Sequence, residues 1–96
     1  MRSFGLKDRV AVVTGGSRGI GKGICIAFAE AGADIIFSYA SNHTAADQTA
    51  AQIRSFNVRC IAVQADAGNE GDVAHMAQRA QKEFGRINIL VNNAGT

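Results

Sequence analysis

The chain has 96 residues, with 10 Lys and Arg against 8 Asp and Glu for a net charge of +2, so it makes one domain at most and buries about 60 to 70% of its unfolded surface. Acidic and basic residues are interspersed, which leaves neither a basic stripe for nucleic acid nor an acidic solvating tail. No apolar run approaches the roughly 20 residues of a membrane helix and Met1 to Arg9 hold no apolar signal region, so the expectation is a cytoplasmic, unprocessed chain with no nucleic-acid or membrane partner.

In chain order, the apolar run Val10 to Val13 predicts a β-strand, and a glycine-rich turn follows it, Thr14-Gly15-Gly16-Ser17-Arg18-Gly19-Ile20-Gly21. Ile20, Ile24, Ala27, Phe28 and Ala31 then recur at helical spacing and predict an amphipathic helix that ends on Gly32, a suitable left-handed cap. A second strand is expected at Asp34 to Ser38 and a second helix over Thr44 to Phe56, with Ala45, Thr49, Ile53 and Phe56 on its core side. Val58 to Gln64 reads as the third strand, and Glu70 to Phe84 as a third helix with Val73, Met76, Ala77, Ala80 and Phe84 on one stripe and Gly85 at its close. Asn88 to Val91 is the fourth strand, and Asn92-Asn93-Ala94-Gly95-Thr96 follows it. Cys25 and Cys60, each flanked by apolar residues, read as small core side chains. His43 reads as part of a helix entry and His75 as helix surface, and neither has neighbours at a metal-ligand spacing.

Strands alternating with helices in this way call for an α/β fold, a Rossmann-like doubly wound parallel sheet with right-handed crossovers and helices on both faces. Four strands so wound take the order 3-2-1-4, which makes the first and fourth strands neighbours. Their carboxyl ends flank the topological switch point where open α/β sheets bind ligands, so the glycine turn and the Asn92 to Gly95 run face one crevice. Wrapping a pyrophosphate there requires positive φ angles, close backbone approach and amide hydrogens aimed at the anion; glycines supply the first two and a helix N-terminus the third. The spacing of Gly15, Gly19 and Gly21 is T-G-x-x-x-G-x-G rather than G-x-G-x-x-G, and taken alone it is also compatible with a plain tight turn. An acid at the end of the second strand would bind a ribose 2′-hydroxyl and repel a 2′-phosphate. That end reads Phe37-Ser38-Tyr39-Ala40-Ser41-Asn42 with no acid, and Asp34 stands at the strand's other end.

The glycine turn from Thr14 to Gly21 together with Asn92-Asn93-Ala94-Gly95, at this separation, closely resembles the short-chain dehydrogenase/reductase family, over essentially the whole chain. The resemblance implies that residues 1–96 are the dinucleotide-binding N-terminal half of a single Rossmann-like domain, with the catalytic half beyond Thr96. It implies NADP(H) as the preferred cofactor, with NAD(H) as the alternative. Gly15, Ser17, Gly19, Ile20 and Gly21 then line the cofactor, and Arg18 takes the 2′-phosphate by a charge-assisted bond. Tyr39, Ser41 and Asn42 complete that rim; a solvated Arg18 and an Asn42 that caps the second helix are the competing readings. Asp66 stands where the family keeps an acid touching the adenine amino group, and Asp66 or Asn69 also suits a helix cap, two roles that are compatible. Asn92, Ala94 and Gly95 correspond to contacts on the adenosine ribose side, and Asn93 to a tie between neighbouring strands.

The family's serine and Tyr-x-x-x-Lys proton donors match nothing in this chain, since the single tyrosine, Tyr39, is followed four residues later by His43, and no catalytic residue carries over. The segment looks most like 3-oxoacyl-acyl-carrier-protein reductases, which implies that a complete parent reduces a ketone to a secondary alcohol and is a homo-oligomer. A sugar or polyol dehydrogenase fragment, and a non-catalytic nucleotide-binding or interaction fragment, are the alternatives. In either case the fourth strand, with Ile87, Ile89, Leu90 and Val91, is an apolar sheet edge expected to make the isolated chain poorly stable or aggregation-prone.

Overall fold

The fold is described from a computed structural model, for residues 5–15, 19–65 and 70–93. Elements follow as β1 (Val10–Thr14), α1 (Gly19–Glu30), β2 (Asp34–Tyr39), α2 (His43–Arg54), β3 (Cys60–Gln64), α3 (Glu70–Phe84) and β4 (Ile89–Asn92). The strands pair in parallel in the order β3-β2-β1-β4, as the alternating pattern requires. Ala11 sits opposite Ile35 on β2 and Ile89 on β4, and Ile35 in turn opposite Cys60 on β3. β1 is buried along its whole length and β2 everywhere but its two ends, which is why both read as unbroken apolar runs rather than alternating ones.

Two cores lie on the two faces of this sheet. Ala11, Val13, Ile35, Phe37 and Cys60 point toward α1 and α2, where they meet Cys25, Ala29, Ala46, Ala50 and Ile53. Val10, Val12, Ile36 and Val63 point the other way, onto Met76 and Ala80 of α3. The third helix has its expected bounds and stripe. The other two are rotated from expectation. On α1 the buried line is Gly21, Cys25 and Ala29, with Ile24 and Phe28 only flanking it, while Ala27 is exposed and Ile20 is 77% exposed. Small residues occupy the line of closest approach because they bring the helix axis down onto the sheet, and the large ones pack to either side. On α2 the buried set is Ala46, Thr49, Ala50 and Ile53, and Phe56 falls past the helix on the surface.

Polar groups close the ends. The Gly32 and Ala33 amides donate to the Ala29 and Phe28 carbonyls, both at 3.0 Å, the paired bonds of a Schellman stop. The Gly85 amide donates to Gln81 O at 2.9 Å to end α3, and Asn42 Oδ1 accepts the Ala45 amide at 3.0 Å to start α2. β3 begins at Cys60, later than expected, because the Arg59 amide turns aside to Asp34 Oδ1 at 2.8 Å. The Arg59 guanidinium also donates to Asp34 Oδ2, at 3.0 and 2.7 Å, and lies 4.5 Å from the Phe84 ring centroid. Asp34 is therefore a latch at the amino end of the sheet, on the side away from the switch point. Asn88 makes a second latch there, exchanging bonds of 2.9 Å with Val10 through its amide and its Oδ1. Among the described residues no helix is long and apolar enough to cross a membrane.

Cys25 and Cys60 are free and buried in the same core. Burial, and secondly the neighbouring Cys60, pushes the Cys25 thiol up from an ordinary value of 9.0 to about 12. Burial raises Cys60 to about 11, against a smaller opposing pull from Arg54. Both thiols are thus protonated packing groups, and folded stability should fall as pH rises from 9.0 toward 11, because the unfolded chain ionises first. Urea midpoints measured across that range should decline, and a thiol reagent at neutral pH should label both cysteines only after denaturation. Rapid labelling of either in the folded chain would contradict the packing described.

Candidate functional site

At the carboxyl end of β1 the chain must leave the sheet through a glycine turn while keeping the polar groups of Thr14 and Gly15 satisfied. Thr14 is fully buried. Its hydroxyl donates to Asn92 Oδ1 at 3.0 Å and accepts the Asn93 amide at 2.9 Å, so the strand end is tied to the segment that follows β4. The Asn93 carboxamide donates to Gly15 O at 3.2 Å, which is the strand tie expected of it. From the other side, the buried Ser38 Oγ of β2 accepts the Gly15 amide at 2.9 Å. The backbone N–H and C=O of Gly15 are therefore held by β2 and by Asn93 after β4, although these are far apart in sequence.

Glycine is required at two further points. Gly19, the first residue of α1, has φ +61°, and among the described residues nothing lies within 4 Å of where a Cβ would project. Gly21 has the opposite surroundings: a Cβ would overlap the Gly15 carbonyl and come within 2.7 Å of Asn93 Nδ2. The first helical turn thus sits directly against the clasp. The Gly15 amide is already committed to Ser38, so what Gly15 offers a ligand is its left-handed conformation, φ +72°, and a bare Cα.

The β2 rim lies beside this turn. Tyr39 ends the strand, its carbonyl accepts the Ala65 amide at 3.0 Å, and Gln64 Nε2 donates to Ala40 O at 3.0 Å, so β3 holds the loop in place. Asn42 caps α2, which bears out the cap reading and leaves its amide NH2 for any further partner. Ser41 is exposed, and its carbonyl accepts the His43 amide at 3.0 Å. The first turns of α1 and α2 carry no acid. Two helix N-termini and a rim with no acid among its described residues converge on one end of the sheet, an arrangement suited to an anion.

Of the residues singled out in the sequence, Gly15, Gly19, Ile20, Gly21, Tyr39, Ser41, Asn42 and Asn92 belong to loops or element ends on this side of the sheet, at the carboxyl ends of the strands or the amino ends of α1 and α2. Ser17, Arg18, Asp66, Ala94 and Gly95 lie outside the described residues. Ile20 is a bare apolar side chain beside the turn rather than a core residue. Thr14 and Ser38 were not singled out as site residues; the available signal was a hydroxyl residue closing each of two otherwise apolar strands, which implies a buried partner. His75 lines a shallow recess of about 220 Å³ with Gln78, Arg79, Lys82 and Glu83 along α3, on the helix surface and apart from the crevice.

Residues 9–96 match the family described as short chain dehydrogenase. A 3-oxoacyl-[acyl-carrier-protein] reductase of Synechocystis is 43% identical over 90 residues, covering 94% of this chain and 36% of that protein. An L-rhamnose 1-dehydrogenase (NADP(+)) of Thermoplasma acidophilum is 39% identical over 89 residues, covering 93% of this chain and 35% of that one. Among solved structures, a short chain dehydrogenase of Burkholderia cenocepacia in complex with NADP superposes with a TM-score of 0.90 at 41% identity, over 95% of this chain and 37% of that one. The chain spans about a third of the length of the curated relatives it matches.

Two glycines two residues apart in α1 should respond in opposite directions. Gly21→Ala forces a methyl group against the Gly15 carbonyl and the Asn93 carboxamide and should destabilise by about 1 to 3 kcal/mol. Gly23 is exposed, with nothing within 4 Å of an added Cβ, and Gly23→Ala should stabilise by about 0.5 to 1 kcal/mol. Chemical denaturation of the two variants measures both.

Proposed function

The chain belongs to the short-chain dehydrogenase family, and on that premise we propose that residues 1–96 are the NADP(H)-holding half of a Rossmann-like domain in an oxidoreductase that reduces a ketone to a secondary alcohol. The carrying observation is the turn after β1: Gly19 is left-handed with no described residue's atom within 4 Å of where its Cβ would project, and Gly21 is pressed against Gly15, whose backbone N–H and C=O are held from two sides. A pyrophosphate fits such a site because the backbone can come within hydrogen-bond reach of it and the amides opening α1 need acceptors.

Bound NADP(H) supplies the hydride; this chain's residues bind and orient it. In the proposed assignment Gly15, Ser17, Gly19, Ile20 and Gly21 serve the pyrophosphate side. Arg18, with Tyr39, Ser41 and Asn42, serves the 2′-phosphate, and NADP(H) is preferred over NAD(H) because no acid stands at the end of β2. Asp66 takes the adenine amino group, and Asn92, Ala94 and Gly95 the adenosine ribose side. No residue of this chain is assigned proton transfer. The substrate proposed first is a 3-oxoacyl thioester, in line with the Synechocystis relative. The L-rhamnose dehydrogenase relative favours a sugar or polyol as the second reading. The whole protein is proposed to be a cytoplasmic homo-oligomer.

Isothermal titration of the 96-residue chain with NADPH and NADH tests the cofactor reading. Arg18→Ala should weaken NADPH at least about tenfold and NADH much less, the value of one charge-assisted hydrogen bond. Equal losses for both would remove Arg18 from the 2′-phosphate. Ketone-dependent oxidation of NADPH should be absent from the chain by itself, and turnover traceable to it would overturn the division of labour proposed.

A further inference from the structure

The rim after β2 contains a side-chain pair of which only Tyr39 enters the assignments above; His43 does not. Tyr39 Oη and His43 Nδ1 are 2.8 Å apart, with ring centroids at 5.3 Å and planes at 75°. We propose that His43, held by Tyr39, is a specificity-determining hydrogen-bond donor to the 2′-phosphate of NADP(H). The proposal rests on the nucleotide-binding reading given above and adds to it a residue outside the glycine and asparagine motifs.

Three observations carry it. The pair is placed at the ligand end of the sheet by short bonds on both sides: Ser38, next to Tyr39, holds the Gly15 amide at 2.9 Å, and the Ala65 amide holds the Tyr39 carbonyl at 3.0 Å. The contact with Tyr39 also sets the orientation of the imidazole. When the phenol donates to Nδ1, the neutral ring carries its proton on Nε2 and offers that N–H to an outside acceptor. Finally, the surrounding rim offers donors. Asn42 has spent its carbonyl oxygen on the Ala45 amide and keeps its NH2, Ser41 carries a hydroxyl, and the nearest carboxylate along α2 is Asp47, one turn beyond His43. A ribose 2′-hydroxyl paired with a carboxylate would find none among the described residues of this rim. A 2′-phosphate, which brings several acceptor oxygens and nearly two negative charges, meets the N–H groups it needs. Tyr39 acts through His43 and is a positioning residue.

Titration calorimetry of the 96-residue chain with NADPH, NADH, adenosine 2′,5′-bisphosphate and AMP separates the outcomes. His43→Ala should weaken NADPH and the bisphosphate about tenfold while changing NADH and AMP by less than about twofold, since only the first pair carries the 2′-phosphate. Tyr39→Phe keeps the ring and should give a smaller loss in the same two ligands, together with a changed nitrogen-15 signal of the His43 imidazole as its Nδ1 loses a partner. An NADPH to NADH ratio untouched by His43→Ala, or equal losses across all four ligands, overturns the role of His43 and leaves the nucleotide reading standing. Failure of the unmodified chain to bind any of the four overturns both.

Discussion

The rest of the structure depends on one buried hydroxyl. Thr14 ends the central strand in a place water does not reach, so its oxygen must find partners within the protein. It finds them in Asn92 and Asn93, at the far end of the chain. That pair of bonds fixes where the chain leaves β4, and the Asn93 carboxamide carries the constraint on to the Gly15 carbonyl. With Ser38 holding the Gly15 amide, both backbone polar groups of Gly15 have a partner. Gly21 follows as a steric consequence, because the clasp occupies the volume a side chain would need.

This constraint also sets how α1 lies on the sheet. A helix whose first turn touches the strand-end backbone must approach closely along its length, and Gly21, Cys25 and Ala29 form the line that permits it. The larger Ile24 and Phe28 are displaced to the flanks, and Ile20 is left bare at the mouth of the turn. Packing and site geometry are therefore one arrangement: the small residues that seat the helix also aim its amino end at the crevice.

The two ends of the sheet are built from different chemistry. At the amino ends, Asp34 with Arg59 and Phe84, and Asn88 with Val10, join neighbouring elements through groups that are used up in doing so. At the carboxyl ends, hydroxyls and carboxamides hold the backbone beside left-handed glycine and the Tyr39–His43 pair. β4 is an outer strand of the sheet, but of the apolar residues foreseen as its edge only Leu90 is exposed, at 54%, while Ile87, Ile89 and Val91 are half-buried against the two cores.

Element types, strand order and the convergence of the glycine turn with the asparagine run were legible in the sequence, because they follow from apolar periodicity and the handedness of βαβ crossovers, both local or general rules. The bounds of α3 and its Met76–Ala80 stripe were legible for the same reason. What only the tertiary structure decided was which of several apolar residues face inward and which polar groups meet. Periodicity marks a broad apolar face on α1, but the choice of Cys25 over Ile20 depends on how near the sheet stands. The partnership of Thr14 with Asn92 and Asn93, and of Ser38 with Gly15, depends on register and loop placement, which bring together groups that sequence spacing does not relate. The sequence determined that a glycine turn and an asparagine run meet at a switch point; the packed structure decided which side chains hold that turn.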